Sequence, residues 1–235
     1  MKNGLIILLA LAFTACNELI GERGNDVRIT KSYTVDDFNQ VEISGAFKVT
    51  LIPSKNNEII LHVDENLVKY IEIKVRGNKL FVETDRRLIS RDGIEIDIPV
   101  NRLTNIFSSG ASDIKSEEAL SSKDLAIDVS GAGKVDLKLD VQSVNLDLSG
   151  ATMVYLEGAA KHLEVDMSGA GSLEADGFEV ENCRVDISGV GHALVNVTGT
   201  LNAQVSGLGK VEYVGDPESV KGDVSGIGNI NKADN

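Results

Sequence analysis

Seven Ser-Gly pairs cut the second half of the chain into units of nearly equal length. They stand at Ser109-Gly110, Ser130-Gly131, Ser149-Gly150, Ser168-Gly169, Ser188-Gly189, Ser206-Gly207 and Ser225-Gly226, spaced by 21, 19, 19, 20, 18 and 19 residues. Around each pair the unit reads apolar-x-apolar-Asp-apolar-Ser-Gly-x-Gly-x-apolar-x-apolar, as in LEVDMSGAGSLEA at 163–175. A unit of this length cannot bury its own apolar face, so successive units must stack and share one core.

Period-two alternation on both sides of the Ser-Gly predicts two short strands flanking a bend. Two inward columns follow from the repeat. One is Ile127, Leu146, Val165, Val185 and Ala203; the other is Val135, Val154, Leu173, Ala193 and Val211. Equivalent strands about 4.8 Å apart would bury a continuous core. The expected fold is therefore all-β, a single-chain parallel β-helix or β-solenoid with rungs of about 20 residues. Glycine suits the bend where a left-handed or crowded backbone leaves no space for a Cβ, and Thr152 takes the second glycine position in one rung. The leucine-rich repeat is excluded because its Asn is missing. The calcium-binding nonapeptide is excluded because the period differs.

The first half is β as well, but less regular. Strands are expected in 41–52, 59–63, 70–75, 79–83 and 94–100, a helical turn at Glu65 to Tyr70, and loops at 54–57 and 86–92. Ser44-Gly45-Ala46 already carries the later bend, so the solenoid, or a sheet feeding it, begins near residue 40. The expected divisions are a leader at 1–15, a tether and lead-in segment at 16–37, an N-terminal β region at 38–105 and the repeat solenoid at 106–230.

The Asp-x-Ser-Gly-x-Gly rungs, best seen at Asp128 to Gly133 and Asp166 to Gly171, resemble the auto-transporter adhesin, head GIN domain family over roughly residues 38–230. The resemblance implies an exported all-β solenoid of double-membraned bacteria. It implies no activity, because fold does not fix function.

Outward positions carry whatever chemistry there is. Asp128, Asp147, Asp166, Asp186 and Asp223 should form one ladder, interrupted by Gln204, with Ser130, Ser149, Ser168, Ser188, Ser206 and Ser225 forming another two residues on. Carboxylates about 5 Å apart repel by roughly 1 kcal/mol in water. Hydrogen bonds from backbone amides and serine hydroxyls at the bend are expected to offset this. A calcium column is the sharper alternative, but one Asp per rung supplies too few oxygens for a six- to eight-coordinate ion. No metal or cofactor is expected. The column Lys134, Met153, Ser172, His192, Lys210 and Asn229 reads as a solvated face, and His62, His162 and His192 as surface residues. The SGAG bends are not phosphate loops, since no helix follows them.

A net charge of −13 repels phosphate backbones, which excludes nucleic acid as a partner, and the absence of Trp weakens any aromatic platform. Lys2 followed by an apolar run from Leu5 to Phe13 reads as an export leader, too short to span a bilayer. Its end, Phe13-Thr14-Ala15-Cys16, resembles the lipobox of bacterial lipoproteins. That resemblance implies cleavage before Cys16, lipidation of its thiol and a membrane anchor. Cys183 then has no disulfide partner and reads as a small buried hydrophobe.

The function expected is that of a non-enzymatic, lipid-anchored envelope protein, adhesin-like, with a glycan or a protein as ligand. It would sit at the periplasmic face of the outer membrane or on the cell surface. The alternatives are a polysaccharide-active enzyme on a parallel β-helix and a scaffold part of an envelope assembly. The sequence leaves the oligomeric state open.

Overall fold

The computed structural model describes residues 21–233. About three-quarters of the chain, 74%, is strand, stacked as parallel coils in a β-solenoid of about 7 turns, which is the fold class the repeat predicts.

The strands in chain order are β1 (Glu22–Arg23), β2 (Arg28–Thr34), β3 (Gln40–Gly45), β4 (Lys48–Pro53) and β5 (Glu58–Asp64). After a 3-10 turn at Glu65–Tyr70 come β6 (Ile71–Arg76), β7 (Lys79–Thr84), β8 (Leu88–Ile89) and β9 (Glu95–Val100). The coils proper are β10 (Asn105–Ser116), β11 (Leu120–Val129), β12 (Ala132–Leu148), β13 (Ala151–Met167), β14 (Ala170–Ile187) and β15 (Val190–Val205). The last turn is made by β16 (Leu208–Val214), β17 (Ser219–Val224) and β18 (Ile227–Lys232).

The alternation that predicts two short strands per unit produces longer ones. Each strand from β12 to β15 runs along one face, bends and continues along a second face, the ladder shifting register on the way between β13 and β14 and between β14 and β15. β12 pairs with β13 in parallel register from Ala132↔Ala151 to Leu148↔Met167, and β13 with β14 from Ala151↔Ala170 to Met167↔Ile187. The inward columns stack as the alternation requires. Ile127, Leu146, Val165, Val185 and Ala203 are successive partners, and each is at most 2% exposed. Val135, Val154, Leu173, Ala193 and Val211 form the second column, also buried.

Crowding, rather than a left-handed backbone, explains the first glycine of the later bends. The carbonyl oxygens of Gly131, Gly150, Gly169, Gly189 and Gly207 each accept a hydrogen bond from the amide two residues past the matching serine, one coil on, at 2.9–3.0 Å. That ladder draws the bends together, so a Cβ at Gly150 would run into the Gly131 carbonyl. Only at the first repeat bends, Gly45 (φ 148°) and Gly110 (φ 110°), is a positive φ also required.

The second glycine column holds Thr152, buried at 3% exposure, whose hydroxyl finds no partner. An orphaned buried hydroxyl carries its full desolvation penalty. Thr152→Val keeps the shape and removes the oxygen. It should therefore raise stability by about 1 kcal/mol, read as an increase in denaturation midpoint at unchanged m-value. A lower midpoint would show that the hydroxyl has a partner in solution.

All the strands of residues 40–100 but β8 lie in the same sheet as the repeats: β3 and β4 each pair in parallel with β10, and β7 and β9 extend them outward. β8, within the 86–92 segment expected as a loop, pairs with β1 in a separate two-stranded sheet. Beyond β7 and β9 the pairing turns antiparallel, through β6 on one face and β5 then β2 on the other. β2 falls in a segment whose alternation is too weak to be read as a strand. The helical turn expected at Glu65 to Tyr70 is the 3-10 turn that buries Leu67 over this end. Cys183 is stacked between Leu163 and Leu201, and burial pushes its thiol up to about 12, so it is not poised as a nucleophile. Cys16 and the leader lie outside the described residues. Among the described residues, no helix is long and apolar enough to cross a membrane.

Candidate binding surface

The face formed by the arms before each bend carries three outward columns. Asp128, Asp147, Asp166, Asp186, Gln204 and Asp223 are successive register partners. Toward the N-terminal end the same column continues as Phe107, Glu42 and Phe81. There Lys79 lies 2.9 Å from Glu42 and 4.1 Å from the centre of the Phe107 ring. The second column runs Gln40, Asn105, Ala126, Asn145, Glu164, Arg184, Asn202 and Lys221. The third runs Asp124, Ser143, His162, Asn182, Thr200 and Ser219.

The hydrogen bonds expected to hold the aspartates are not there. Among the described residues Asp128, Asp147 and Asp166 make neither a side-chain hydrogen bond nor an ion pair. The reason is that the bend has no amide to spare: those of Ser149, Ser168, Ser188, Ser206 and Ser225 donate to backbone carbonyls of the preceding coil at 2.8–3.0 Å. Among the described residues, of the repeat serine hydroxyls only that of Ser130 has a partner, the Ser108 carbonyl at 3.4 Å. The carboxylates face solvent, which is what keeps their mutual repulsion small. One cation intervenes, Arg184, at 3.6 Å from Glu164 and 3.7 Å from Asp186. Among the described residues no cluster of three or more His, Cys, Asp or Glu is arranged to hold a metal ion.

A groove of about 880 Å³ opens at the edge of the second and third columns. Asn105, Asn145, Asp124 and Ser143 enter it from β10, β11 and β12, and Asn39 and Asn101 from the loops beside them. Beside these amides, hydroxyls and the one carboxylate, the wall carries two cations, Arg102 and Lys123, and the apolar Leu125 and Ala126. The repeat gives Asn145 its column; the contributions of Asn39 and Asn101 have no signal in the sequence, because they arrive from outside the regular rungs.

The other face, after each bend, is less bland than its composition suggests. In the column Lys134, Met153, Ser172, His192, Lys210 and Asn229, the basic side chains pair with acids two residues along their own or the next rung. Lys134 lies 2.6 Å from Asp136, Lys210 2.7 Å from Glu212, and His192 2.9 Å from Glu212. Lys210, then His192, hold the Glu212 carboxyl below its ordinary range. His62 hydrogen-bonds Thr30 at 2.9 Å, and His162 is exposed in the third column of the first face.

Residues 37–217 match the family described as "Putative auto-transporter adhesin, head GIN domain". The chain belongs to this family. An adhesin-head family is one of exported or surface proteins. Among solved structures, a putative adhesin from Bacteroides fragilis is similar at 27% identity with a TM-score of 0.84, covering 91% of this chain and 100% of its own. A putative adhesin from Parabacteroides merdae, at 23% identity and TM-score 0.65, covers 92% and 100%. A protein from Parabacteroides distasonis titled a putative lipid binding protein, at 18% identity and TM-score 0.71, covers 90% and 99%. The latter two share the fold alone. No protein of curated function matches.

Proposed function

We propose that the protein is a non-enzymatic, lipid-anchored envelope adhesin that binds a glycan along the face before the bends. The observation that carries this reading is the convergence of asparagines in the groove. Four asparagines, Asn39, Asn101, Asn105 and Asn145, converge there with Ser143 and Asp124. An asparagine amide offers donors and an acceptor side by side, the complement of vicinal hydroxyls. The Asn39 and Asn105 oxygens already accept from Asn78 and Thr104, which leaves their NH2 donors to face the groove. The groove opens onto outward columns repeating at about 4.8 Å, so a linear polymer could be followed from rung to rung. Adhesin-like family membership supports binding over catalysis. The Ala15-Cys16 lipobox supports the anchor.

The test is a panel of soluble bacterial and host polysaccharides against the purified protein, with Asn105→Ala and Asn145→Ala beside it. Binding to at least one glycan, weakened about tenfold or more by either substitution, is expected. Unaltered binding by both variants would place the ligand elsewhere. Release of new reducing ends from a bound polysaccharide would make the protein an enzyme and overturn the reading. Cys16→Ser should move the protein from the membrane to the soluble fraction; continued partition into detergent would remove the lipid anchor from the proposal.

A further inference from the structure

The two ends of the solenoid differ. At the first, antiparallel β6 and β2 carry the outer edges, studded with Lys31, Lys74 and Arg76, and the Leu67 turn covers the core. Charged, short edge strands resist further pairing. At the last, β17 pairs only with β15 and β18 only with β16 among the described residues, so both outer edges present free amides and carbonyls. Among the described residues the core columns also stop there without a cover. Val220 stacks on Leu201 and Val224 on Val205, yet they are 41% and 39% exposed, whereas both residues beneath are fully buried. These are inward positions of a core left open. The family match ends at residue 217, so this terminal coil lies beyond it.

We propose that a second copy of this chain closes the end, by antiparallel pairing of the two terminal coils about a two-fold axis through Gly222. The sequence of β17, Ser-Val-Lys-Gly-Asp-Val, is complementary to its own reverse about that glycine. The pairing sets Lys221 of one copy opposite Asp223 of the other, and Val220 opposite Val224. Neither Lys221 nor Asp223 has an ion-pair partner within the described residues of its own chain. Opposite charges directly across an antiparallel pair are favourable, like charges unfavourable. The other strand obeys the same axis. Ile230 lies across the core from Gly222, where a Cβ would be 2.8 Å from the isoleucine Cδ1. An axis through Gly222 therefore passes at Ile230, so β18 pairs with its copy with Ile230 on Ile230 and Asn229 on Asn231. One rotation joins both edges and covers both open core columns. The association is isologous and stops at two, because the remaining ends are the charged, capped ones.

Sedimentation of the full chain, purified in density-matched detergent, tests this. A dimer at micromolar concentration is expected. Lys221→Asp should weaken it at least tenfold while leaving the melting temperature of the dilute monomer in place, since the side chain is exposed. The double exchange Lys221→Asp with Asp223→Lys should restore the dimer, because the pair is re-formed with its signs reversed. A monomer at tens of micromolar overturns the proposal. So does a dimer indifferent to Lys221→Asp, or a double exchange that fails to rescue, since either puts the contact on another surface.

Discussion

Val165→Asp is expected to lower the melting temperature by on the order of 10 °C or more, and to prevent folding if the margin is small. Val165 is fully buried between Leu146 and Val185. A carboxylate there has no cation or donor within the apolar column. It must stay charged without solvation, or bind a proton at neutral pH, and either route costs several kcal/mol. For a domain of this size each kcal/mol moves the midpoint by about 2–4 °C. The neighbouring Asp166→Asn is the control. That side chain is exposed and unpaired, so the change should fall within about 0.5 kcal/mol, with the loss of one charge from a repelling column favouring stability if anything. Thermal melts of the two variants decide the matter, and equal destabilisation would contradict the inward and outward assignment.

Gly150→Val is expected to cost about 3 kcal/mol or more, toward the upper end for overpacking. The reason differs from that for Val165. Here the new atoms meet backbone, and the Gly131 carbonyl cannot retreat without breaking its hydrogen bond to the Ala151 amide, 3.0 Å long. Damage would spread to coils on both sides. Ser149→Ala, next to it and exposed, should be nearly silent. Chemical denaturation of both variants tests this; a mild effect of Gly150→Val would mean that the bends can separate while the strands stay paired.

How far the sequence carries the structure can be seen coil by coil. On either side of each Ser-Gly the alternation determines which residues stack, because within an arm only one register keeps every apolar side chain inside. The unequal lengths of the units are taken up away from the Ser-Gly, where the register shifts between Tyr155 and Gly158 and between Ala175 and Glu179. The ends escape that logic. β2 and β6 pair antiparallel, and their partners are set by the twist and closure of one end rather than by the repeat. The candidate groove is partly legible for the same reason. Asn145 and Ser143 occupy predictable columns, whereas Asn39 and Asn101 are delivered by loops. The aspartate ladder shows the opposite case: its position follows from the repeat, but its bonding does not. Residue order does not reveal that the bend amides are already committed to the coil before.

The ladder of inter-coil hydrogen bonds has a consequence for cooperativity. Each coil is paired with the coil before and the coil after, so the molecule behaves as a row of coupled units rather than one indivisible core. With one end sealed by antiparallel strands and the other open in the single chain, opening is easiest at β17 and β18 and grows harder toward β10. Amide exchange in the monomer should therefore slow progressively from Val224 back through Val205, Ile187, Met167 and Leu148. The fold thus has a built-in direction in which it frays.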